Sequence, residues 1–280
     1  MLVWNSLDEV PTDLPRTVVT LGNFDGVHRG HREVLRRVVE LARERDALAV
    51  AVTFSPHPRS VHRPDEPHVD ILGPQQRAVL LSETGLDALL MQRYTLEFAD
   101  QSPEEFVLSM FVRGLHAAVV VVGHDVRFGR GNVGDFAEMV RLGEKHGFEV
   151  EAVEEHPAEI GDEPERRCSS TWVREALAAG DVAQAAAILG RHHTLDGEVV
   201  HGFARGRELG FPTANLAPEA EGMIPADGVY AGWVHDVQGE AWPAAISIGS
   251  NPTFEGVSRV VEAHVIDRPE ERVEDFDLYG

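Results

Sequence analysis

Lysine is almost absent from this sequence of 280 residues, in which Lys145 is the only one. A P-loop uses a lysine to bind the β- and γ-phosphates of its nucleotide, protein kinases use a strand lysine, and pyridoxal enzymes form a Schiff base with one. Lys145 lies between Glu144 and His146, where the pattern predicts an exposed helix end. The sequence therefore disfavours all three classes. Phosphate chemistry in this chain must rely on histidine, arginine, backbone N–H groups and metal.

Cysteine and long apolar runs are also scarce. Cys168 is the single cysteine, which excludes an intramolecular disulfide and a thiolate-rich metal site. No apolar run approaches the roughly 20 residues that span a bilayer. The first residues are acidic and mixed, unlike a signal peptide. These features predict a cytoplasmic protein without a membrane segment.

Positive charge is the third shortage, since 25 basic residues face 47 acidic ones and the formal net charge is −22. Nucleic acid as the main partner is therefore disfavoured, because phosphate backbones require a basic surface. A small phosphorylated ligand remains compatible with this charge, because helix N-termini and a few arginines can hold it locally. We expect small-molecule partners; the composition leaves the oligomeric state open.

Two modules of different pattern follow each other along the chain. Residues 17 to about 154 alternate predicted strands and helices, which indicates a doubly wound parallel sheet of the α/β class. Ser102-Pro103-Glu104-Glu105 forms a capping box with proline at the first helical position, so a helix should begin there. The predicted strands of this module are residues 17–21, 49–54, 117–122 and 148–153.

The pattern changes after a predicted helical segment at residues 172–189, which carries a break at Gly180-Asp181. Strands separated by glycine, proline, aspartate and asparagine are predicted at 198–200, 229–234, 244–248 and 260–266. Such a series is typical of a small all-β barrel or sandwich. We therefore divide the chain into domains at residues 1–188 and 189–280.

The strongest candidate site is Gly22–His31, which joins the first predicted strand to the first helix. In open α/β sheets, ligands bind at the carboxyl ends of the strands. His28 and His31 are three residues apart and share one face of the helix start. The free N–H groups and the dipole at that end attract anions. Phosphate binding is favoured over two alternatives, a histidine pair that binds metal and two histidines that only cap the helix.

Two further segments could bind phosphate. Ser169–Arg174 opens a predicted helix with hydroxyls and an arginine one turn in, although an ordinary cap with a solvated arginine would explain that segment by itself. Gly129–Gly134 matches G-x-G-x-x-G. The match begins several residues after its strand and has no downstream acidic partner, so it is a weak dinucleotide signal.

Five motifs together resemble the bifunctional bacterial riboflavin kinase/FAD synthetase family. The first is the H-x-G-H loop that ends at His31. The others are T-F-x-P-H-P, G-x-D-F-x-F-G, S-S-T-x-x-R and G-R-x-L-G-F-P-T-A-N, at residues 53–58, 122–129, 169–174 and 206–215. The resemblance covers nearly the whole chain, and the last motif is highly specific. It implies a Rossmann-like nucleotidyltransferase domain followed by a riboflavin kinase-like β-barrel.

The resemblance also implies two reactions that use ATP and Mg²⁺. The second module phosphorylates riboflavin to FMN, and the first transfers AMP from ATP to FMN, which gives FAD and pyrophosphate. In the first module the implied catalytic residues are His28, His31 and Arg174. The implied ATP and phosphate ligands are Gly22, Phe24, Asp25, Gly30, Gly123, Ser170 and Thr171, and the implied flavin ligands are His57, Pro58, Asp125 and Phe128.

In the kinase module, the resemblance assigns ATP binding to Gly206 and Arg207, and Mg²⁺ binding to Thr213 and Asn215. Glu262 matches the catalytic glutamate; without the resemblance it would pass for an exposed strand carboxylate. Family members continue through another strand and a final helix beyond the position of Gly280, so the kinase module is expected to lack both. FAD synthesis with an impaired kinase, or a flavin-binding regulatory protein, therefore remain alternatives.

Overall fold

Two units make up the chain in the computed structural model, which describes residues 1–66, 68–153, 160, 166–200, 213–235, 239–253 and 256–266. The first unit comprises Met1–Asp70 and Pro74–Ser169, and the second comprises Ile71–Gly73 and Ser170–Gly280. The domain boundary after residue 188 stays a prediction. No helix in the described ranges is long and apolar enough to cross a membrane.

A parallel sheet of six strands forms the centre of the first unit and confirms the predicted α/β class. Its middle strands are buried on both faces, because the adjacent residues Val18 and Val19 of one such strand point to opposite faces and neither has exposed surface. The strands are β1 Leu2–Trp4, β2 Thr17–Leu21, β3 Leu48–Ser55, β4 Ala88–Arg93, β5 Ala117–Gly123 and β6 Glu149–Val153, in the order β1-β4-β3-β2-β5-β6.

The helices of this unit begin where the sequence supplies caps. The capping box is confirmed, since the Ser102 N–H donates to Glu105 at 2.8 Å and the Glu105 N–H donates to the Ser102 hydroxyl at 3.3 Å. Lys145, at the predicted exposed helix end, lies 2.6 Å from Glu104. The helices are α1 Arg29–Glu44, α2 Pro58–His62, α3 Pro74–Ser82, α4 Leu96–Ala99, α5 Pro103–Val107 and α6 Phe136–His146.

The strand order places a crevice at one end of the sheet. From β2 the chain crosses to β3 and then β4 on one side, whereas β5 and β6 lie on the other side of β2. The connections at the carboxyl ends of β2 and β5 therefore diverge, which is the topological switch point where such sheets bind ligands. Gly22 follows β2 and Gly123 ends β5, so two of the resemblance motifs meet this point.

The second unit combines two helices with a five-stranded antiparallel sheet, ordered β7-β8-β11-β10-β9. The predicted break between its helices is confirmed, because Gly180 has φ +77° and Asp181 accepts from the Gln184 N–H at 2.8 Å. The elements are α7 Ser170–Ala178, α8 Val182–Leu189, β7 Val199–Val200, β8 Ala214–Leu216, β9 Gly228–His235, β10 Ala241–Thr253 and β11 Gly256–Val265.

Candidate active site

The loop after β2 is held in a strained conformation. Phe24 and Val27 have φ of +48° and +41°, and Gly26 has φ of +86°. A β-branched residue in this region is an outlier, and such strain persists only where the surroundings hold it. Phe24 and Asp25 are 2% and 1% exposed. The loop is therefore shaped by the fold itself, with these two predicted ATP ligands packed inside it.

His28 and His31 come together at the start of α1. His28 is the N-cap residue, and its Nδ1 accepts a hydrogen bond from the His31 N–H at 3.3 Å. The two rings stack with centroids 3.6 Å apart and planes 20° from parallel. The Phe24 ring stands edge-on to His31 at 5.3 Å. The predicted shared face is thus confirmed, and His28 also acts as a cap.

Capping does not account for His31. Its Nδ1 is buried and has no hydrogen-bond partner among the residues that the structure describes, and the same holds for Nε of Arg32. A buried polar atom without a partner is costly and needs an explanation such as a bound ligand. Two orphaned nitrogens beside a positive helix end are the arrangement that an anion would complete.

Burial lowers the pKa of His31 well below its ordinary value, and the neighbouring charge of His28 lowers it further. Without a ligand, His31 is therefore a neutral imidazole at neutral pH. An incoming polyphosphate would favour the protonated form, because an opposite charge nearby stabilises it.

The lowered pKa of His31 predicts a pH-dependent stability. The unfolded imidazole takes up a proton near pH 6.5 whereas the folded one resists it, so the free energy of unfolding should fall as pH drops through this region. His31→Gln removes this contribution. As the pH is lowered from about 7.5 to about 5.5, we expect the melting temperature of the variant to rise relative to that of the wild type. If the difference in melting temperature between the variant and the wild type is the same at every pH, the pKa of His31 is not lowered.

Gly30 is required by the packing of His28. A Cβ at Gly30 would lie 3.3 Å from Cε1 and Nδ1 of the His28 ring and 3.6 Å from the Cys168 carbonyl oxygen. The first of these separations is tighter than an ordinary contact, so the ring would have to move. The missing side chain thus lets the imidazole lie against the helix.

Gly30→Ala should separate stability from activity. Alanine favours helix over glycine by up to about 1 kcal/mol, so the melting temperature should hold or rise. The displaced His28 ring should lower AMP transfer by about ten- to a hundredfold. The kinase rate of the same preparation serves as the internal control. Full AMP transfer in the variant would show that the position of the His28 ring is not critical.

His57 follows β3 and caps α2, whose first residue is Pro58. Its Nδ1 accepts the Arg59 N–H at 3.1 Å, so in the neutral ring the proton is carried by Nε2, which can donate to a phosphate oxygen. The His68 ring packs against it with a centroid distance of 4.1 Å. His68 in turn lies 3.1 Å from Asp70.

These three residues are also the group within the described ranges that could hold a metal ion. The candidate ligand atoms of His57, His68 and Asp70 lie within 4.8 Å of one another. The two imidazole rings are in contact, however, with centroids 4.1 Å apart and planes tilted by 35°, and Nδ1 of His57 already accepts a backbone hydrogen bond. Ring nitrogens bind metal in the ring plane at about 2.0–2.1 Å, so the rings would have to move apart. The arrangement fits a hydrogen-bond donor better.

Some residues of the motif after β5 lie on the surface and others lie in the core. Asp125 is exposed, and its Oδ1 would lie 2.7 Å from a Cβ at Gly123, so this carboxylate folds back over the end of β5. Phe128 is 4% exposed and packs beside Phe106 at 5.8 Å. The G-x-G-x-x-G segment closes on itself, because Phe128 and Gly134 exchange two backbone hydrogen bonds of 3.1 and 3.0 Å.

Two residues that the sequence did not single out hold the loop after β2. The Asn23 carbonyl oxygen accepts from the Thr53 hydroxyl at 2.9 Å and from Nη1 of Arg77 at 3.0 Å. Thr53 lies within the T-F-x-P-H-P motif, which could have indicated it. Arg77 lies on α3, outside every motif.

In the second unit, Ser170 is the first residue of α7, Thr171 follows it and Arg174 lies one turn further, as predicted. Gly206 and Arg207 lie outside the described residues. Their predicted ATP-binding roles therefore remain predictions.

The residues predicted to act in the kinase module are aligned by strand register. Glu262 on β11 pairs with Asn215 on β8 and with Ser247 on β10. Directly opposed residues carry their side chains on one face, with Cβ atoms about 4.5–5.5 Å apart. Asn215 is 7% exposed, and its Nδ2 donates to the Thr213 carbonyl at 3.3 Å. Thr213, Asn215 and Glu262 thus form one group.

The first unit has a parallel sheet with a stacked histidine pair at its switch point, which is the arrangement of a nucleotidyltransferase. The chain also contains an antiparallel β unit in which an Asn and a Glu are aligned. Together these features define a nucleotidyltransferase with a second, β domain. The family models sharpen this class: FAD synthetase matches residues 10–171 and riboflavin kinase matches residues 189–280. The chain belongs to the bifunctional riboflavin kinase/FMN adenylyltransferase family, as the resemblance predicted.

Individual relatives agree. The bifunctional riboflavin kinase/FMN adenylyltransferase of Escherichia coli strain K12 is 35% identical over 263 residues, which is 94% of this chain and 80% of the relative. That of Pseudomonas fluorescens is 38% identical over 251 residues, or 89% and 78%. A crystal structure described as a macrolide-efflux protein from Streptococcus pneumoniae has a TM-score of 0.82 at 30% identity, covering 96% of this chain and 86% of that one.

Proposed function

We propose that this chain makes FAD from riboflavin in two ATP-dependent steps, by phosphorylation to FMN and by transfer of AMP to FMN. The observation that carries the proposal is the stacked pair of His28 and His31 at the N-terminus of α1, with a buried Nδ1 that lacks a partner among the described residues. Membership of the bifunctional family supports both steps.

In AMP transfer, a phosphate oxygen of FMN attacks the α-phosphorus of ATP, the bond to the β-phosphate oxygen breaks, and pyrophosphate leaves. We assign the triphosphate to His28, His31 and the helix start, which stabilise the charge that builds on the leaving group. Gly22 and Gly30 leave room for the loop and the rings. The nucleophile is already anionic, so orientation and charge neutralisation supply most of the catalysis. Ser170, Thr171 and Arg174 keep the phosphate-binding role that the S-S-T-x-x-R motif predicts.

The flavin substrate would lie at the carboxyl ends of β3 and β5. We assign the FMN phosphate to Nε2–H of His57, whose ring is fixed by the Arg59 N–H and by His68. Pro58 fixes the chain at the start of α2. The exposed Asp125 would contact FMN, and the buried Phe128 would support this loop from the core.

In the kinase step, the ribityl 5′-hydroxyl of riboflavin attacks the γ-phosphorus of ATP and ADP leaves. Glu262 would accept the hydroxyl proton as the general base. Thr213 and Asn215 offer oxygen ligands, which Mg²⁺ prefers; Nδ2 of Asn215 points at the Thr213 carbonyl, so its Oδ1 is the acceptor. When bound, the ion would neutralise charge on the phosphates.

Separate incubations with each flavin test the proposal. The protein is mixed with Mg²⁺-ATP and either riboflavin or FMN, and the flavins are resolved by chromatography. We expect FMN and then FAD from riboflavin, and FAD with pyrophosphate from FMN. FAD from FMN without FMN from riboflavin would overturn the kinase half. Flavin binding without conversion of either substrate would contradict both halves and favour a regulatory protein.

A further inference from the structure

Arg77 is the most deeply buried cation of the first unit within the described ranges, with 2% of its surface exposed. It lies in the first turns of α3. Burying a guanidinium is costly unless its donors are satisfied, and arginine is otherwise a surface residue. A leucine or methionine would pack at this position with a smaller desolvation penalty. A buried arginine in a short helix therefore needs a reason beyond packing.

Its two terminal nitrogens donate to two different segments, the loop after β2 and the end of strand β3. Nη1 donates to the Asn23 carbonyl and Nη2 donates to the Phe54 carbonyl, both at 3.0 Å. Asn23 immediately precedes the left-handed Phe24 and lies in the loop that ends at His28. Phe54 belongs to the motif that ends in His57 and Pro58. One planar side chain thus ties the histidine loop to the end of β3, which leads directly into the predicted FMN-binding loop at His57 and Pro58.

The Asn23 carbonyl is held from a second direction. The Thr53 hydroxyl donates to the same oxygen at 2.9 Å, and Thr53 itself is fully buried. Both lone pairs of the oxygen are therefore occupied. Strained backbone at a site persists only when neighbouring groups fix it, and these two donors fix the entrance of the strained segment that runs from Phe24 to Val27.

We propose that Arg77 is a positioning residue for AMP transfer, which sets the place of the His28–His31 pair relative to the FMN-binding loop through its fork of hydrogen bonds to Asn23 and Phe54. The inference rests on the proposed AMP transfer to FMN. It adds a requirement for the guanidinium shape: lysine keeps the charge but replaces two rigid donors by one flexible nitrogen.

The test compares Arg77→Lys and Arg77→Met with Arg141→Met, which removes an exposed arginine paired with Glu138 on α6 of the same unit. Rates of AMP transfer and of riboflavin phosphorylation are measured on the same preparations and divided by the folded fraction from circular dichroism. We expect kcat for FAD formation to fall about a hundredfold in Arg77→Met and about tenfold in Arg77→Lys. The kinase rate and the Arg141→Met rates should stay within about twofold.

A purely structural role would lower the folded fraction and leave both rates per folded molecule unchanged, which would overturn the proposal. Equal losses of the two activities would overturn it as well. If Arg77→Met does not fold, Thr53→Val decides, because it removes the second donor to Asn23 with little change in volume; a loss of about tenfold in AMP transfer alone is expected. An unchanged rate in Thr53→Val would contradict the proposal.

Failure of the Arg77 proposal can be distinguished from failure of the proposed function. If the wild type forms no FAD from FMN, the proposed function fails first, and pyrophosphate binding measured by calorimetry then tests Arg77. Weaker pyrophosphate binding in Arg77→Lys than in Arg141→Met supports the positioning role of Arg77. Equal binding in the wild type and both variants contradicts it.

Discussion

FAD formation from FMN is expected to fall by about 10²–10³-fold when either His28 or His31 is replaced by alanine, the loss found when one preorganised donor to a developing anion is removed. The reason is geometric: the two rings form one stacked unit at the N-terminus of α1, with centroids 3.6 Å apart. His31→Ala removes the buried ring nitrogen that has no partner among the described residues, and His28→Ala also removes the helix cap. Chromatography of FMN reactions with Mg²⁺-ATP measures the effect.

The two histidine variants need a control that removes an imidazole elsewhere. His146→Ala suits this purpose, because His146 ends α6 and hydrogen-bonds Glu104 at 2.8 Å. His146 lies outside all five motifs and on a different helix from the histidine pair. AMP transfer should therefore be unchanged in His146→Ala, and riboflavin phosphorylation should survive in all three variants. Loss of both activities in His28→Ala or His31→Ala would show that the modules do not work independently.

Glu262→Gln is expected to lower FMN formation from riboflavin by about 10²–10⁴-fold, the usual contribution of a general base. The amide keeps the shape of the side chain opposite Asn215, so stability should change little. FAD formation from added FMN should continue at the wild-type rate. The variant would then accumulate no FMN from riboflavin while still converting FMN to FAD.

Glu219→Gln provides the matched control for the kinase variant, since Glu219 is an exposed carboxylate in the turn after β8. It removes the same charge from the same very acidic unit. Equal loss in Glu219→Gln and Glu262→Gln would indicate a general charge effect. Full kinase activity in Glu262→Gln would place the base elsewhere.

The sequence predicted the first unit well where its signals were local. Val18 and Val19 carry the continuous apolar pattern of a central strand, and Ser102 with Glu105 carries the cap chemistry of a helix start. The register of His28 and His31 followed from helical spacing alone. These features depend on neighbours within four residues along the chain, which is why pattern analysis found them.

The elements that were missed depend on distant partners. Strand β1 has three residues and pairs only with β4, and neither strand was predicted. Both have short apolar segments that become strands because the sheet supplies their hydrogen bonds. Strand β8 was assigned to a phosphate motif; its strand character comes from pairing with β7 and β11.

The sequence predicted the residues that carry the chemistry of the site, but not the residues that hold its loops in place. Sequence motifs identified His28, His31, His57 and Glu262. Arg77 was identified only in the structure, because a single arginine in a nine-residue helix carries no periodic signal. The buried Nδ1 of His31, which meets no hydrogen-bond partner within the described ranges, is likewise a property of packing. Sequence patterns report which side chains carry chemistry more readily than which backbone atoms hold them.

The single lysine, which disfavoured three classes of enzyme at the outset, also offers a site for selective chemical labelling. Lys145 is exposed at the end of α6, where its ammonium group meets Glu104 at 2.6 Å. Amine-directed reagents can attach a dye there and otherwise only at the chain's amino terminus. This position lies outside all five motifs and on a different helix from the histidine pair. A fluorophore on Lys145 would therefore follow diffusion or assembly of the enzyme in real time while leaving nucleotide turnover intact.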